Sequence, residues 1–171
     1  MGKGGIVDRQ ARTAPRTFPS NLLHHAVGLG HALRSTFEWT NESHSLKTAP
    51  PMAFVSTTKP DEAKRFYTDV LGLEFVADDK FALIFRIHGN QTLRVQRVHE
   101  LKPQPFTVFG WQVEDIESSV AILTKLGVMF QMIGLPTQDK TGVCTFDNGD
   151  KVAWFKDPDG NTLSIAQLVP N

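Results

Sequence analysis

Arg94 and Gln96 stand two apart in the stretch TLRVQ. Side chains alternate along an extended chain, so both fall on one strand face. A guanidinium beside a carboxamide suits recognition of an anion or a carbonyl, because arginine offers a two-pronged donor to carboxylate or phosphate. The competing reading is an ordinary strand arginine that pairs with a nearby acid or reaches solvent. An internal repeat adds Ser164 and Ala166 to the same face: GNQTLR (89–94) matches GNTLS (160–164) with one extra residue. If that extra residue falls elsewhere, Gln96 takes the place of Arg94. Other reactive side chains carry less. His99 and Glu100 are neighbours on an extended linker, so their side chains point apart. His88 sits in an HGN turn, and His24 and His31 share a helix face without a third ligand. Cys144 has no base nearby and reads as a small core residue. Asp157 to Gly160, DPDG, is turn chemistry: proline at the second position, aspartate bonding its own backbone, glycine at the end.

The surrounding pattern shows what must position these residues. AFVST alternates as a strand, and Lys59-Pro60-Asp61 opens a helix with proline in its first turn. Ala63, Phe66, Tyr67, Val70 and Leu71 then recur at helical spacing until Gly72. LEFVAD, KFALIFRI and QTLRVQRV follow as strands, and HELKPQP is a linker. The unit begins again with the strand FTVFGWQV and the helix EDIESSVAILTKLG. VMFQMIG, TGVCTF, KVAWFKD and NTLSIAQLV read as strands, with FDNGDK a hairpin turn between two of them. LGLEF (71–75) also matches LGVMF (126–130), so the chain holds two copies of one βαβββ unit, at about 54–98 and 106–169. A helix covers only one face of a four-stranded sheet, so the other face must meet a partner sheet or enclose a trough for a small ligand. By parity Phe54 and Ser56, Arg94 and Gln96, Val108, Gly110 and Gln112, and Ser164 face that trough. Phe109, Trp111 and Val113 face the helix. Gly110 admits either a ligand close to the backbone or relief of crowding. Trp154 and Phe155 point to opposite faces, one into the core and one toward the pocket.

With FYTDVLGLEF in its first copy and FKDPDGNTLSI in its second, the chain resembles the vicinal oxygen chelate superfamily of glyoxalase I, bleomycin-resistance proteins and extradiol dioxygenases. The resemblance covers nearly all of 52–169. It implies an α+β fold of two βαβββ modules with a trough between curved mixed sheets. Metal-using relatives place ligands on the first and last strands of each module. Those positions carry over to Met52, Arg94, Val108 and Ser164 here. None is a good ligand for a divalent ion, so the resemblance implies a fold without its metal, and no cofactor is expected. A homodimer is expected too, since relatives often complete the trough between subunits.

Two function classes follow. One is a metal-free, bleomycin-resistance-like protein that holds a partly apolar, anionic small molecule. The other is an enzyme of the lyase or dioxygenase kind, with or without a metal. Eighteen basic residues balance eighteen acids, so nothing advertises nucleic acid as a partner. No apolar run suits a membrane span. A single cysteine fits a reducing, cytoplasmic setting. Residues 1–51 differ from the rest, with six Lys/Arg against three acids and little strand alternation. They read as a disordered or non-native extension containing one short helix capped by Ser20, and the folded domain as 52–171.

Overall fold

A computed structural model of the chain describes Leu46 and residues 48–170. The expectations for the extension, including the Ser20 helix and the His24–His31 pair, fall outside the described residues.

Strand β1 (Met52–Thr57) leads into helix α1 (Pro60–Arg65), and strands β2 (Glu74–Asp78), β3 (Ala82–Arg86) and β4 (Thr92–Arg97) follow. The second module repeats this as β5 (Thr107–Gln112), α2 (Ile116–Lys125), β6 (Val143–Thr145), β7 (Lys151–Lys156) and β8 (Thr162–Gln167). The sheets have the orders β1-β4-β3-β2 and β5-β8-β7-β6, with the first and last strand of each module parallel. These are the two mixed four-stranded sheets expected from the repeat. Among the described residues no helix is long and apolar enough to cross a membrane.

Local chemistry explains the helices. Pro60 occupies the first turn of α1, Asp61 and Glu62 sit at its positive end, and Lys64 and Arg65 lie in its last turn. The helix then widens into one π-helical turn, Phe66–Val70, before Gly72 leaves it at φ +70°. Asp115 caps α2 by accepting from the Ser118 amide.

One expected strand is absent. VMFQMIG forms only an isolated bridge, Phe130 to Phe155. The chain then leaves the sheet and returns as β6, which continues the same edge of β7. Gln138 holds this excursion closed: its Oε1 accepts from the amides of Ile133 and Gly134, and its Nε2 donates to the carbonyls of Gln131 and Gly142. Residues 131–142 are thus an insertion in the edge strand. Hydrophobicity marked them as strand, yet Met132 is 63% exposed because among the described residues no second strand covers it.

Both helices and both sheets bury one shared core. Val55, Leu93, Val95, Leu83 and Phe85 of the first module pack with Leu163, Ile165, Ala153 and Phe155 of the second. Tyr67 lies 5.5 Å from Phe85, Phe66 lies 5.4 Å from Tyr67 and 6.5 Å from Phe155, and Phe130 closes the row 5.6 Å from Phe155. These aromatic contacts run from one sheet to the other through the π-helical turn after α1.

The DPDG turn does more than reverse the chain. Asp157 is buried, and its two oxygens accept from the Tyr67 hydroxyl, the Asn161 carboxamide and the amides of Asp159 and Asn161. Asp159 reaches the first module, where Thr57 and Thr58 donate to it through their hydroxyls and Thr58 through its amide. Asn161 donates to the Ser56 carbonyl and Lys59 to the Pro158 carbonyl. The last turn of the second module therefore fastens the end of β1.

Two expectations follow from this junction. Tyr67→Phe leaves the buried Asp157 one donor short and lowers stability by about 1–3 kcal/mol, read from denaturant unfolding. The pH dependence of Asp159 has a defined sign. Burial would raise its carboxyl, but the hydrogen bonds from Thr57 and Thr58 outweigh it and hold the pKa below the ordinary value. Its contribution is complete above the unfolded pKa and is lost as pH falls through the folded one. The stability gap between the wild type and Asp159→Asn should therefore narrow from about pH 6 to about pH 3. Asp157 runs the other way. Burial raises its carboxyl pKa against the bonds from Asn161 and Tyr67, so stability falls as pH rises from the ordinary carboxyl value toward the raised one.

Candidate functional site

Core residues of β1, β3, β4, β7 and β8 point toward the helices, so their alternates make the opposite, helix-free face. Two matching rows cross it. In the first module Ile84, Arg94 and Phe54 are register neighbours, and in the second Trp154, Ser164 and Gly110 are. The hairpin registers settle the repeat alignment. Arg86 pairs with Thr92 and Lys156 with Thr162, so two residues on Arg94 matches Ser164, and Gln96 matches Ala166. Five residues separate each pair, so the two turns are equal in length and the extra residue suggested by the GN match is not there.

Arg94 is not free. Its Nη2 donates to Asp79 Oδ2 at 2.6 Å, and Asp79 also accepts from the amides of Phe81 and Ala82. Those two backbone bonds, with the nearby Arg94 and Arg97 charges, hold the Asp79 carboxyl below its usual range. Asp79 therefore stays ionised and keeps the guanidinium turned toward the β2–β3 turn. The acid in VADDK is the partner that a strand arginine would seek, but the sequence could not show that this turn folds back over β4. Among the described residues, Arg94 retains Nε and Nη1 for another partner.

Trp154 and Phe155 separate as their alternation requires. Phe155 is fully buried in the core, and Trp154 is partly exposed on the helix-free face. The Trp154 indole N–H donates to Thr107 Oγ1 at 3.0 Å, which spans β8 and fixes the ring plane. Trp111 packs against the core and meets Phe109 edge-on at 4.7 Å. Gly110 owes its identity to crowding. A Cβ there would stand 2.5 Å from Ser164 Oγ and 2.9 Å from the Ser164 carbonyl. The Ser164 side chain fills the space that glycine leaves.

The eight residues expected to share the trough divide. Phe54, Ser56 and Val108 line a cleft of about 160 Å³ beside Lys102 and Gln104. Gly110 and Gln112 line a larger one of about 750 Å³. Arg94, Gln96 and Ser164 lie on the helix-free face and line neither cleft. A register shift between Thr107 and Phe109 sets Val108 apart from the regular alternation. His99 and Glu100 are exposed on the linker, and Cys144 is buried in β6, where burial pushes its thiol up.

A divalent metal does not fit the four positions that the fold family suggests. Met52 offers a thioether at the start of β1, opposite Thr92. Val108 offers no donor. Ser164 offers a hydroxyl tucked under Gly110, and Arg94 a cation already bound to Asp79. Among the described residues no three His, Cys, Asp or Glu side chains gather elsewhere into a ligand set. For the packing at β5, Gly110→Ala should cost about 1–3 kcal/mol, and adding Ser164→Ala should restore part of it by removing the 2.5 Å clash. A double-mutant cycle by thermal unfolding checks the coupling.

Known proteins give the same architecture. The sequence matches the family model described as the glyoxalase/bleomycin resistance protein/dioxygenase superfamily over residues 50–165. The structure resembles a lactoylglutathione lyase from Agrobacterium tumefaciens with a TM-score of 0.54 at 17% identity, over 70% of this chain and 94% of that one. It resembles TnmS3, an antibiotic binding protein from Streptomyces sp. CB03234, with a TM-score of 0.54 at 20% identity, over 74% of this chain and all of that one (100%). No curated protein matches the sequence. At such identities the solved structures speak for the fold, while the family match rests on the sequence itself. The chain belongs to the glyoxalase/bleomycin resistance protein/dioxygenase superfamily.

Proposed function

We propose that this protein is a small-molecule binding protein that works without a metal and takes a flat, partly apolar anion on its helix-free face. The observation that carries this is the donor set. The four ligand positions hold Met52, Arg94, Val108 and Ser164, and a fold of this family persists around them. Without a ligand set, polarisation of a bound carbonyl by a metal has no basis in these residues. What the face offers is a binding surface. Phe54 is 54% exposed there, Trp154 is held by Thr107, and Arg94 has donors to spare. Aromatic side chains supply contact area, and a guanidinium selects carboxylate or a similar oxyanion. TnmS3, a neighbour of similar fold, is an antibiotic binding protein, which is consistent with sequestration as the role. The site in this reading comprises Phe54, Ser56, Arg94, Gln96, Val108, Gly110, Gln112 and Ser164, with Trp154 added. A homodimer belongs to the same reading, since a second copy would cover the exposed Phe54 and Met52.

Two measurements test it. The full chain, loaded with Ni²⁺, Zn²⁺, Mn²⁺ and Fe²⁺ and then desalted, should retain under about 0.1 ion per chain by mass spectrometry. A value near one would overturn the metal-free reading. The aromatic anion 2-naphthoate should quench tryptophan fluorescence saturably. Arg94→Ala should weaken it about tenfold while leaving neutral 2-naphthalenemethanol unchanged. Equal losses for both probes would remove the anion from the proposal.

A further inference from the structure

Among the described residues β5 is an edge strand, with β8 its sole partner in the sheet. The Val113 amide donates to the Ala166 carbonyl, which fixes which β5 residues bond inward. Main-chain groups alternate in direction along a strand, so Trp111 and Val113 face β8, and the N–H and C=O of Gly110 and Gln112 face the other way. Both residues are exposed, and among the described residues no hydrogen bond outside the β5–β8 ladder reaches either main chain.

The open edge of β1 is treated differently. There the Ser56 carbonyl is taken up by Asn161, and Thr58 and Asp159 tie the same end. Toward the end of β5 no such tie forms among the described residues. A cleft of about 750 Å³ opens along Gly110–Glu114, walled on its far side by Ile87, His88 and Gln91 of the β3–β4 turn. Proteins usually guard such an edge with proline, lysine or a bulge. The bulge here ends at Phe109, and the sequence GWQV that follows contains none of these guards.

We infer that this cleft binds the extended main chain of a short linear peptide or peptide-like molecule by adding it as a strand to β5. A bound amide would exchange hydrogen bonds with Gly110 and Gln112, the usual source of affinity in strand addition. Charge sets the direction. Among the described residues Glu114 is the sole acid lining the cleft and stands at the C-terminal end of the edge, and no Lys or Arg lines it. A free amino terminus is drawn there, so the peptide runs antiparallel to β5. Three extended residues span about 10 Å, which fits within the roughly 13 Å of Gly110–Glu114. This goes beyond the aromatic-anion reading, because it uses main-chain groups on the far side of Gly110 and Gln112 and needs neither Arg94 nor Trp154.

The test is an amide-resolved NMR titration of the full chain with Ala-Ala-Ala. Saturable shifts at the Gly110 and Gln112 amides are expected. A tripeptide methylated at both amide nitrogens should bind at least about tenfold more weakly, and Glu114→Gln or N-acetylation about threefold more weakly. Gln112→Pro deletes one outward donor at an edge position that tolerates proline, and should cost about tenfold. If circular dichroism shows that variant unfolded, the methylated peptide decides alone. No saturable shift, or equal binding of the methylated peptide, overturns the inference. Quenching by 2-naphthoate that persists in that event leaves the aromatic-anion reading standing, and a tripeptide response without quenching does the reverse.

Discussion

A carboxylate without water needs donors, and Asp157 finds four of them at the point where the two modules meet. Two come from its own turn through the amides of Asp159 and Asn161, one from the Asn161 side chain, and one from Tyr67 in the other module. Burial raises the Tyr67 hydroxyl well above its usual pKa, and the nearby Asp157 charge adds to the effect, so tyrosine remains a neutral donor at any working pH. Removing one partner of a buried charge costs more than the bond itself, since the charge stays behind undersatisfied. The π-helical turn is held against the end of β7 by this contact, and so is the aromatic row through Phe66 and Phe155. The π-helical turn at Phe66–Val70 lies where Tyr67 must reach Asp157.

With the modules fastened at the end of β1, their other faces are free to diverge. That asymmetry places the candidate site. Close to the junction the cleft beside Phe54 and Val108 is small, and away from it the cleft along Gly110–Glu114 is several times larger. The fold thus offers two kinds of surface. One is a side-chain face with Trp154, Phe54 and Arg94. The other is a main-chain edge with Gly110 and Gln112. Neither calls for a metal, and the residues at the family's ligand positions are used otherwise: Arg94 braces a turn and Ser164 fills the space above Gly110.

Much of this was legible in the sequence. Alternation assigned faces to Phe54, Arg94, Gln112 and Ser164, because period two is fixed by backbone geometry. The internal repeat gave two modules and, through TLR against TLS, the equivalence of Arg94 and Ser164. It left Arg94 and Gln96 open, because the GN match suggested an extra residue that the two turns, equal in length, do not contain. The hairpin registers had to decide. VMFQMIG shows the opposite failure: apolar residues signal a strand equally well whether or not a neighbour exists to pair with them.

The sequence by itself determined the family, the two modules, the facing of the regular strand residues and the poverty of the metal-ligand positions. These follow from residue types and from spacings that local backbone geometry enforces. Tertiary structure decided what those residues do to one another. DPDG reads as a turn, but only the fold brings Asp159 to Thr57 and Asp157 to Tyr67, across ninety and more positions of chain. Arg94 reads equally as an anion clamp or as a strand arginine paired with an acid until the fold brings Asp79 beside it, and Gly110 as a ligand approach or as relief of crowding until Ser164 is seen to occupy its space. Partners so distant along the chain are selected by packing of the shared core, a property of the whole sequence that no short window contains.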